Sequence, residues 1–278
     1  MILHNGRLSD KQDVRISVDD RGYYFGDGVY EVFRIYNGAL FEADAHLARL
    51  QRSADEVRLK LPYPLDAIRS MLEKLREAER VTEGMLYMQI TRGEAPRSHT
   101  FPDDAVPNLV AWCKPLPRPL NQLKHGIDAV TVEDVRWLRC DIKSLNLLPN
   151  TLAKQQAADS GADEAVFVRG GIVTECSASN LMIVKNGELW THPANHLILH
   201  GITRGVVLRL SAELAIPVRE QPFGVDALKT ADEAFITGTT VEITPVVRID
   251  GAPVGTGTPG PVTRRLQAAF AQYAGLAG

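Results

Sequence analysis

A lysine within a mainly apolar stretch is the first residue whose type and position suggest chemistry. Lys143 lies in segment 140–148, of sequence CDIKSLNLL. Desolvating an ammonium group is costly, so burial lowers the pKa of a lysine and frees its amine to attack an aldehyde. The alternative is a lysine at the end of a strand whose amine reaches solvent, and periodicity alone favours that interpretation.

A carboxylate followed by small hydroxyl residues occupies segment 173–180, of sequence VTECSASN. Glu175 with Ser179 suits the floor of a ligand pocket. An ordinary junction between a strand and a loop has the same composition, so this segment alone leaves both interpretations open.

Two segments have the composition of phosphate-binding loops. Residues 201–203 (Gly-Ile-Thr) directly precede a predicted helix, whose N-terminus offers free N–H groups and a positive dipole to an anion. Residues 238–240 (Gly-Thr-Thr) follow an apolar strand and offer flexible backbone with two hydroxyls. The alternatives are that Thr203 caps the helix and that 238–240 is a turn. Arg49 is either a phosphate contact or a solvated arginine.

A polar loop places Arg97 two residues before His99. In an extended chain both side chains point the same way, and an arginine fork beside a histidine can hold a carboxylate. Without other evidence, an exposed polar loop is the simpler interpretation.

Three histidines spaced by four, His192, His196 and His200, would share one face of a helix and could bind zinc. Pro193 and the strand and turn pattern just upstream argue against a helix there. No glutamate stands in the arrangement usual for metalloproteases, so the sequence predicts no metal site.

Apolar spacing predicts the elements that must position these residues. Spacings of three and four predict one helix over Leu47 to Val57, capped by Asp44, and a second over Leu65 to Leu75. Strict alternation predicts a strand over 85–91. Further helices are predicted at 151–160, 203–214 and 261–273, and tight turns at 170–171, 186–187 and 250–251.

Three prolines at alternate positions, Pro115, Pro117 and Pro119, hold the chain extended and forbid a helix. They predict a domain of 1–114, a linker of 115–120 and a second domain of 121–278. Helices and strands mix without a regular βαβ rhythm, so the predicted class is α+β with two domains.

Composition narrows the function. The formal net charge is -3, from 31 basic and 34 acidic residues, which does not favour a nucleic-acid or polybasic membrane surface. No signal-peptide pattern opens the chain, and no apolar run approaches the ~20 residues of a membrane helix. Three cysteines, an odd and sparse set, favour a reducing compartment, so a cytoplasmic enzyme is expected.

Taken together, long blocks of the sequence resemble the D-amino-acid transaminases of fold type IV, which belong to the class IV aminotransferases and use pyridoxal 5'-phosphate (PLP). The blocks are 20–23 (DRGY), 25–32 (FGDGVYEV), 136–146 (RWLRCDIKSLN), 191–195 (THPAN), 201–204 (GITR) and 242–245 (EITP). Blocks of this length, in this order, are far more specific than any single motif above. The resemblance implies a small N-terminal α/β domain and a larger C-terminal β-barrel-like domain.

The resemblance also implies roles for individual residues. Lys143 is similar to the Schiff-base lysine that also moves the Cα proton, and Glu175 to the partner of the pyridine nitrogen. Other residues similar to cofactor contacts are Arg49, Arg136, Ser179, Ile202, Thr203 and Thr239. Ala178 stands where the family often has serine, which puts one hydroxyl contact to the cofactor in doubt.

For substrates, Tyr30, Arg97 and His99 resemble the family's trap for the α-carboxylate. In that family the arginine–histidine loop comes from the neighbouring subunit, which implies a homodimer. The implied reaction is transamination of D-amino acids, such as D-alanine and D-glutamate, with 2-oxoglutarate or pyruvate. A branched-chain L-amino-acid transaminase and an aminodeoxychorismate-type lyase of the same fold are the alternatives.

Overall fold

The computed structural model describes residues 1–276 and divides into two compact units. The first comprises Met1–Pro117 with Ile142–Leu147, and the second Arg118–Asp141 with the residues from Leu148 onward. The sequence assigns 142–147 to the second domain, but the structure groups it with the first unit. The reason is backbone pairing: Tyr30 N donates to the carbonyl of Lys143 at 3.0 Å. The domain boundaries at 1–114, 115–120 and 121–278 stay a prediction.

The first unit is built on a six-stranded antiparallel sheet of order β2-β1-β6-β5-β3-β4. Its strands are β1 (Ile2–His4), β2 (Arg7–Ser9), β3 (Gly28–Tyr36), β4 (Ala39–Leu40), β5 (Gly84–Thr91) and β6 (Asn108–Pro115). Its helices are α1 (Arg21–Phe25), α2 (Ala43–Glu56) and α3 (Leu65–Ala78), with a 3-10 turn at Lys11–Asp13.

The period-two pattern of the strands decides which face of this sheet meets the helices. On β3 and β5, Phe33, Leu86 and Met88 are fully buried, in one core with Leu50 of α2 and Leu72 of α3. Alternate residues therefore face the other side of the sheet.

The predicted helices of this unit are confirmed, but one cap is wrong. Asp44 lies in the first turn of α2, and the N-cap is Glu42, which has a φ of 53°. A carboxylate in the first turn still favours the helix through the dipole.

The second unit is built on a ten-stranded sheet. Its strands are β7 (Ile127–Glu133), β8 (Glu164–Arg169), β9 (Ile172–Cys176), β10 (Asn180–Lys185), β11 (Glu188–Thr191), β12 (Val218–Glu220), β13 (Phe223–Gly224), β14 (Glu233–Gly238), β15 (Glu242–Ile249) and β16 (Ala252–Pro253). The order is β12-β11-β10-β14-β15-β7-β8-β9-β13, with β16 on β15. Strands β9 and β10 stand apart in this order, yet they are joined by a tight corner in which Cys176 N donates to Ser179 O at 2.8 Å. The sheet therefore curls back on itself.

Helices of the second unit cover this sheet. They are α4 (Leu120–His125), α5 (Leu148–Asp159), α6 (Ile202–Glu213), α7 (Val225–Lys229) and α8 (Pro261–Tyr273). The three longer helices match the predicted ones, although α5 begins three residues before the predicted start, since Pro149 is tolerated in a first turn.

The predicted tight turns are also confirmed. In the 186–187 turn, Asn186 has φ 52° and Gly187 φ 77°, and in the 250–251 turn, Asp250 has φ 50° and Gly251 φ 78°. Positive φ at both central residues matches the twist of the strands on either side. The observed mixture of helices and largely antiparallel sheets confirms the α+β class. Within residues 1–276, no helix combines the length and apolar character needed to cross a bilayer.

Candidate active site

Lys143 is fixed at its backbone and half-buried at its side chain. Its N–H donates to Ser53 Oγ at 3.1 Å, and its carbonyl accepts from Tyr30 N at 3.0 Å. Its Nζ lies 4.1 Å from the centroid of the Tyr30 ring, and no carboxylate among residues 1–276 forms an ion pair with it. The structure thus presents an amine without a counter-ion on an aromatic face, which is consistent with a nucleophile.

Tyr30 is the first of three stacked rings on the sheet face opposite the helices. Its centroid lies 5.7 Å from that of Tyr87, which lies 5.5 Å from that of Trp112. Burial, and then the nearby Tyr30, raise the pKa of Tyr87 to about 12, so this ring is neutral and donates to Gln89 Oε1 at 3.0 Å. The Tyr30 ring, on which the Lys143 amine lies, is therefore one end of a stack of three aromatic side chains.

Arg49 is buried, which excludes the solvated alternative. Its Nε and Nη2 each donate to a carboxylate oxygen of Glu31 at 2.8 Å, and His46 Nδ1 donates to Glu31 Oε2 at 2.8 Å. Burial is the largest influence on the pKa of Glu31 and raises it, but the contacts from Arg49 and His46 outweigh it and lower that pKa to about 2. Burial lowers the pKa of His46 by more than the hydrogen bond to Glu31 raises it.

Arg97 and His99 are brought together by a third residue, Phe25 at the end of α1. The Arg97 guanidinium carbon lies 5.2 Å, and the His99 ring centre 5.5 Å, from the centre of the Phe25 ring. Both side chains are exposed. Arg97 and His99 thus lie against the same ring, and their role as a clamp for a carboxylate stays a prediction.

Glu175 is the most strongly perturbed carboxyl group of the second unit. It accepts from Arg136 Nη1 at 2.5 Å, from Asn180 Nδ2 at 2.9 Å and from Leu199 N at 3.1 Å to each oxygen. Burial is the largest influence and outweighs the attraction of Arg136, raising the pKa of Glu175 to about 7. This carboxyl group is held in place but lacks a full counter-charge.

Arg136 does not fully balance the charge of Glu175 because Arg136 also bonds a second carboxylate, that of Asp134. Its Nε donates to Asp134 Oδ1 at 2.9 Å and its Nη2 to Oδ2 at 3.0 Å. Burial raises the pKa of Asp134, but Arg136 outweighs burial and the net shift is downward. Arg136 thus divides one positive charge between two buried acids.

The first predicted phosphate loop lies at the start of α6. Gly201 is its N-cap and no described side chain caps the helix, so the alternative in which Thr203 is the cap is wrong. The amides of Ile202 and Thr203 belong to the first turn, where N–H groups lack helical partners. A Cβ on Gly201 would lie 2.0 Å from Asn180 Oδ1, so any larger residue would displace the side chain that holds Glu175.

The second predicted phosphate loop lies at the same end of the sheet. Thr239 follows β14, whose Thr237 is paired in register with Asn180 of β10. Asn180 Nδ2 also donates to the carbonyl of Leu199 at 2.9 Å, close to the start of α6. The sheet pairing therefore places both loops beside Glu175.

Ser179 is engaged by a residue that the sequence analysis did not identify. Its Oγ donates to Glu164 Oε2 at 3.1 Å, and Ser177 Oγ donates to the other oxygen of the same buried carboxylate. Glu164 therefore fixes the corner between β9 and β10, next to Ala178.

Sequence reasoning also missed the partners that orient the predicted residues, chiefly Glu31, Asp134 and Asn180. A weak signal existed for two of them. Glu31 directly follows Tyr30, and Asp134 precedes Arg136 by two residues. Nothing local in the sequence shows that Asn180 bonds Glu175.

The three histidines spaced by four do not lie on a helix. Strand β11 ends at Thr191, and 192–201 is irregular up to α6. Across residues 1–276, no group of three or more potential metal ligands comes together.

Comparison with known proteins identifies the family. The model of the class IV aminotransferases matches residues 28–249. A D-alanine aminotransferase of Staphylococcus haemolyticus is 47% identical over 98% of this chain and 97% of its own length. One of Listeria monocytogenes is 48% identical over 98% of this chain and 95% of its own. The protein belongs to the class IV aminotransferases.

Solved structures agree with this assignment and with fold type IV. The branched-chain amino acid aminotransferase of Escherichia coli superposes with a TM-score of 0.93 at 29% identity, covering 100% of this chain and 95% of the other. The branched-chain aminotransferase of the archaeon Thermoproteus uzoniensis, solved with norvaline, gives a TM-score of 0.87 at 28% identity, covering 99% and 95%.

Proposed function

We propose that this protein is a PLP-dependent transaminase that passes the amino group of D-amino acids, such as D-alanine and D-glutamate, to 2-oxo acids such as 2-oxoglutarate or pyruvate. The substrate class is supported by a difference in sequence identity to two kinds of transaminase. Identity to D-alanine aminotransferases is 46–48% over 97–98% of the chain, against 26–30% to the branched-chain enzymes.

The side chains of the second unit fit PLP. A buried carboxyl group whose pKa is about 7 lacks counter-charge, and a protonated pyridine nitrogen would supply it. The uncapped start of α6, with Ile202 and Thr203, suits a phosphate dianion. Thr237 Oγ1 is buried next to the 238–240 loop with no partner among the described residues, so an acceptor there would satisfy it.

When bound, PLP supplies an aldehyde that takes up the amino group and a ring that withdraws electrons from the substrate Cα. Glu175 would keep the ring nitrogen protonated, and Arg136, which shares its charge with Glu175, would bind beside it. Thr239, Arg49 and the α6 amides are the groups that would hold the phosphate, and Ser179 would be a further contact to the cofactor.

Lys143 would hold the cofactor covalently through Nζ and would move the proton at the substrate Cα. Its support is geometric: the backbone is fixed by Ser53 and Tyr30, and the amine rests on the Tyr30 ring with no described counter-ion. An amine in that setting is available as a base and a nucleophile once it is neutral.

Tyr30, Arg97 and His99 bind the substrate carboxylate. An arginine fork gives two charge-assisted hydrogen bonds, and a phenol and an imidazole can each add one. We place the arginine–histidine loop in the active site of the neighbouring subunit of a homodimer, in keeping with the exposure of both side chains in the single chain. We also propose a cytoplasmic location, since the three cysteines are free thiols.

The test is a panel of D- and L-amino acids with 2-oxoglutarate or pyruvate as acceptor. We expect D-alanine and D-glutamate to be used and amines lacking a carboxylate to be poor. Borohydride reduction followed by peptide mapping should label Lys143, and Lys143→Ala should leave trace turnover. Label on another lysine would overturn the anchor, and preference for branched-chain L-amino acids would overturn the substrate class.

Structural similarity supports one of the two alternatives, a branched-chain L-amino-acid transaminase. The solved branched-chain transaminases cover nearly the whole chain with TM-scores of 0.87 to 0.93. The same panel separates that activity from D-amino-acid transamination. A lyase would release product from one substrate without any 2-oxo acid acceptor.

A further inference from the structure

The exposed loop that carries Arg97 and His99 is held by groups outside the site described so far. Arg21, in the first turn of α1, donates from Nη1 to the carbonyl of Ser98 at 2.6 Å and to that of Thr100 at 3.3 Å. These carbonyls flank His99 on both sides. The Arg21 guanidinium also lies 4.8 Å from the centre of the Phe25 ring, on which Arg97 and His99 rest.

The far end of the loop is anchored at Phe101. The guanidinium carbon of Arg92 lies 3.7 Å from the centre of this ring, and that of Arg58 lies 5.0 Å from it. Arg92 itself is buried and donates to the carbonyls of Val57 and Arg58, each at 2.8 Å. The loop is therefore contacted on both sides of His99 by two buried arginines, Arg21 and Arg92.

One carboxylate orients both of these arginines. Asp27 Oδ2 accepts from Arg21 Nε at 2.8 Å and from Arg92 Nε at 2.9 Å, and Asp27 Oδ1 accepts from Arg92 Nη2 at 3.0 Å. Both guanidinium groups are nearly buried, so without this anion two like charges would face each other with poor solvation. Asp27 also directly precedes β3, three residues before Tyr30.

We infer that Asp27 is a positioning residue for substrate carboxylate binding. Through Arg21 and Arg92 it fixes the loop of Arg97 and His99, and through the chain it is tied to the strand of Tyr30. It does not itself touch the substrate. Its loss therefore weakens recognition of the carboxylate and leaves the chemistry at the cofactor in place. This inference rests on the proposed role of Arg97 and His99.

The test compares Asp27→Asn with wild type, both as holoenzymes. The substitution keeps the shape and removes the charge. We expect the KM for D-alanine and for 2-oxoglutarate to rise together, about ten-fold, with kcat within about three-fold. Aminooxyacetate, which has a carboxylate, should bind about ten-fold more weakly, while hydroxylamine, which has none, should react with the cofactor at the wild-type rate. Hydrogen exchange should accelerate in 93–106.

The matched control is Asp44→Asn, which makes the same chemical change at an exposed aspartate paired with Arg69. It should leave all these quantities unchanged. Phe101→Leu loosens the loop without touching an ion pair, and since Phe101 is partly exposed, this variant keeps the test available if Asp27→Asn does not fold. A smaller rise in the same KM values is expected for it.

The outcomes separate this inference from the proposed function. Arg97→Ala is measured in parallel. If Arg97→Ala raises both KM values but neither Asp27→Asn nor Phe101→Leu does, the positioning role is wrong. If Asp27→Asn slows the reaction of hydroxylamine as much as that of aminooxyacetate, the effect is a general structural one and the inference also fails. If Arg97→Ala has no effect, the carboxylate site itself has been misplaced.

Discussion

A buried glutamate bonded to a buried arginine occurs in both units, Glu31 with Arg49 in the first and Glu175 with Arg136 in the second. Burial raises the pKa of both carboxyl groups, yet the net pKa of Glu31 is about 2 and that of Glu175 about 7. The two sites differ in pairing. Arg49 directs two nitrogens at Glu31 and His46 adds a third donor, whereas Arg136 gives one nitrogen to Glu175 and two to Asp134.

Glu31 and Glu175 differ in whether the protein itself balances the charge of the carboxylate. Glu31 is neutralised within the protein, so it gains nothing from a further cation. Glu175 is fixed by three donors but its charge is not fully balanced, so the proposed cationic ring nitrogen would stabilise its ionised form.

The largest expected effect follows from removing the charge of Glu175. Glu175→Gln keeps the shape of the side chain, and kcat should fall on the order of a hundred-fold or more, as for the loss of other preorganised electrostatic contacts. The cofactor absorbance should remain, because the proposed covalent bond to Lys143 and the proposed phosphate contacts do not involve Glu175. An unchanged kcat would show that the ring does not depend on this acid.

Removing the charge of Glu31 should instead reduce stability. Its folded pKa is below the ordinary value of 4.5, so its contribution is fully present above pH 4.5 and lost as the pH falls towards 2. A shift of this size corresponds to about 3 kcal/mol. The free energy of unfolding of Glu31→Gln, from urea titrations, should be lower by about that amount at pH 7, and the deficit should shrink below pH 4.5. A constant deficit across this range would contradict the ion-pair explanation.

The smallest effect concerns the sharing of Arg136. In cofactor-free protein, the raised pKa of Glu175 gives a stability contribution that is present below pH 4.5 and is lost as the pH rises to about 7. Asp134→Asn releases Arg136 to Glu175 and should lower the pKa of Glu175 below 7. The measurement is the free energy of unfolding against pH, with Glu175→Gln as the background that removes the titration. A pKa of Glu175 that does not move would show that Asp134 does not contribute to it.

The sequence by itself determined the local structure and the list of candidate residues. Helices α3, α6 and α8, the positive-φ turns and the α+β class were readable because periodicity and turn chemistry act between residues a few positions apart. The N-cap of α2 could not be predicted in this way. Glu42 and Asp44 are both acidic, and only the backbone geometry decides which of them is the cap.

Only the tertiary structure decided what each candidate side chain bonds. Arg49 meets Glu31 across 18 positions, and Arg136 meets Glu175 across 39. Arg97 and His99 both lie against the ring of Phe25. Asp27 bonds Arg21, 6 positions away, and Arg92, 65 positions away. The sequence around an arginine does not show whether its side chain pairs with one carboxylate or with two. The charge balance, and with it the pKa that distinguishes Glu175 from Glu31, follows from how the chain brings distant partners together, because Coulomb interactions depend on distance in space rather than along the sequence.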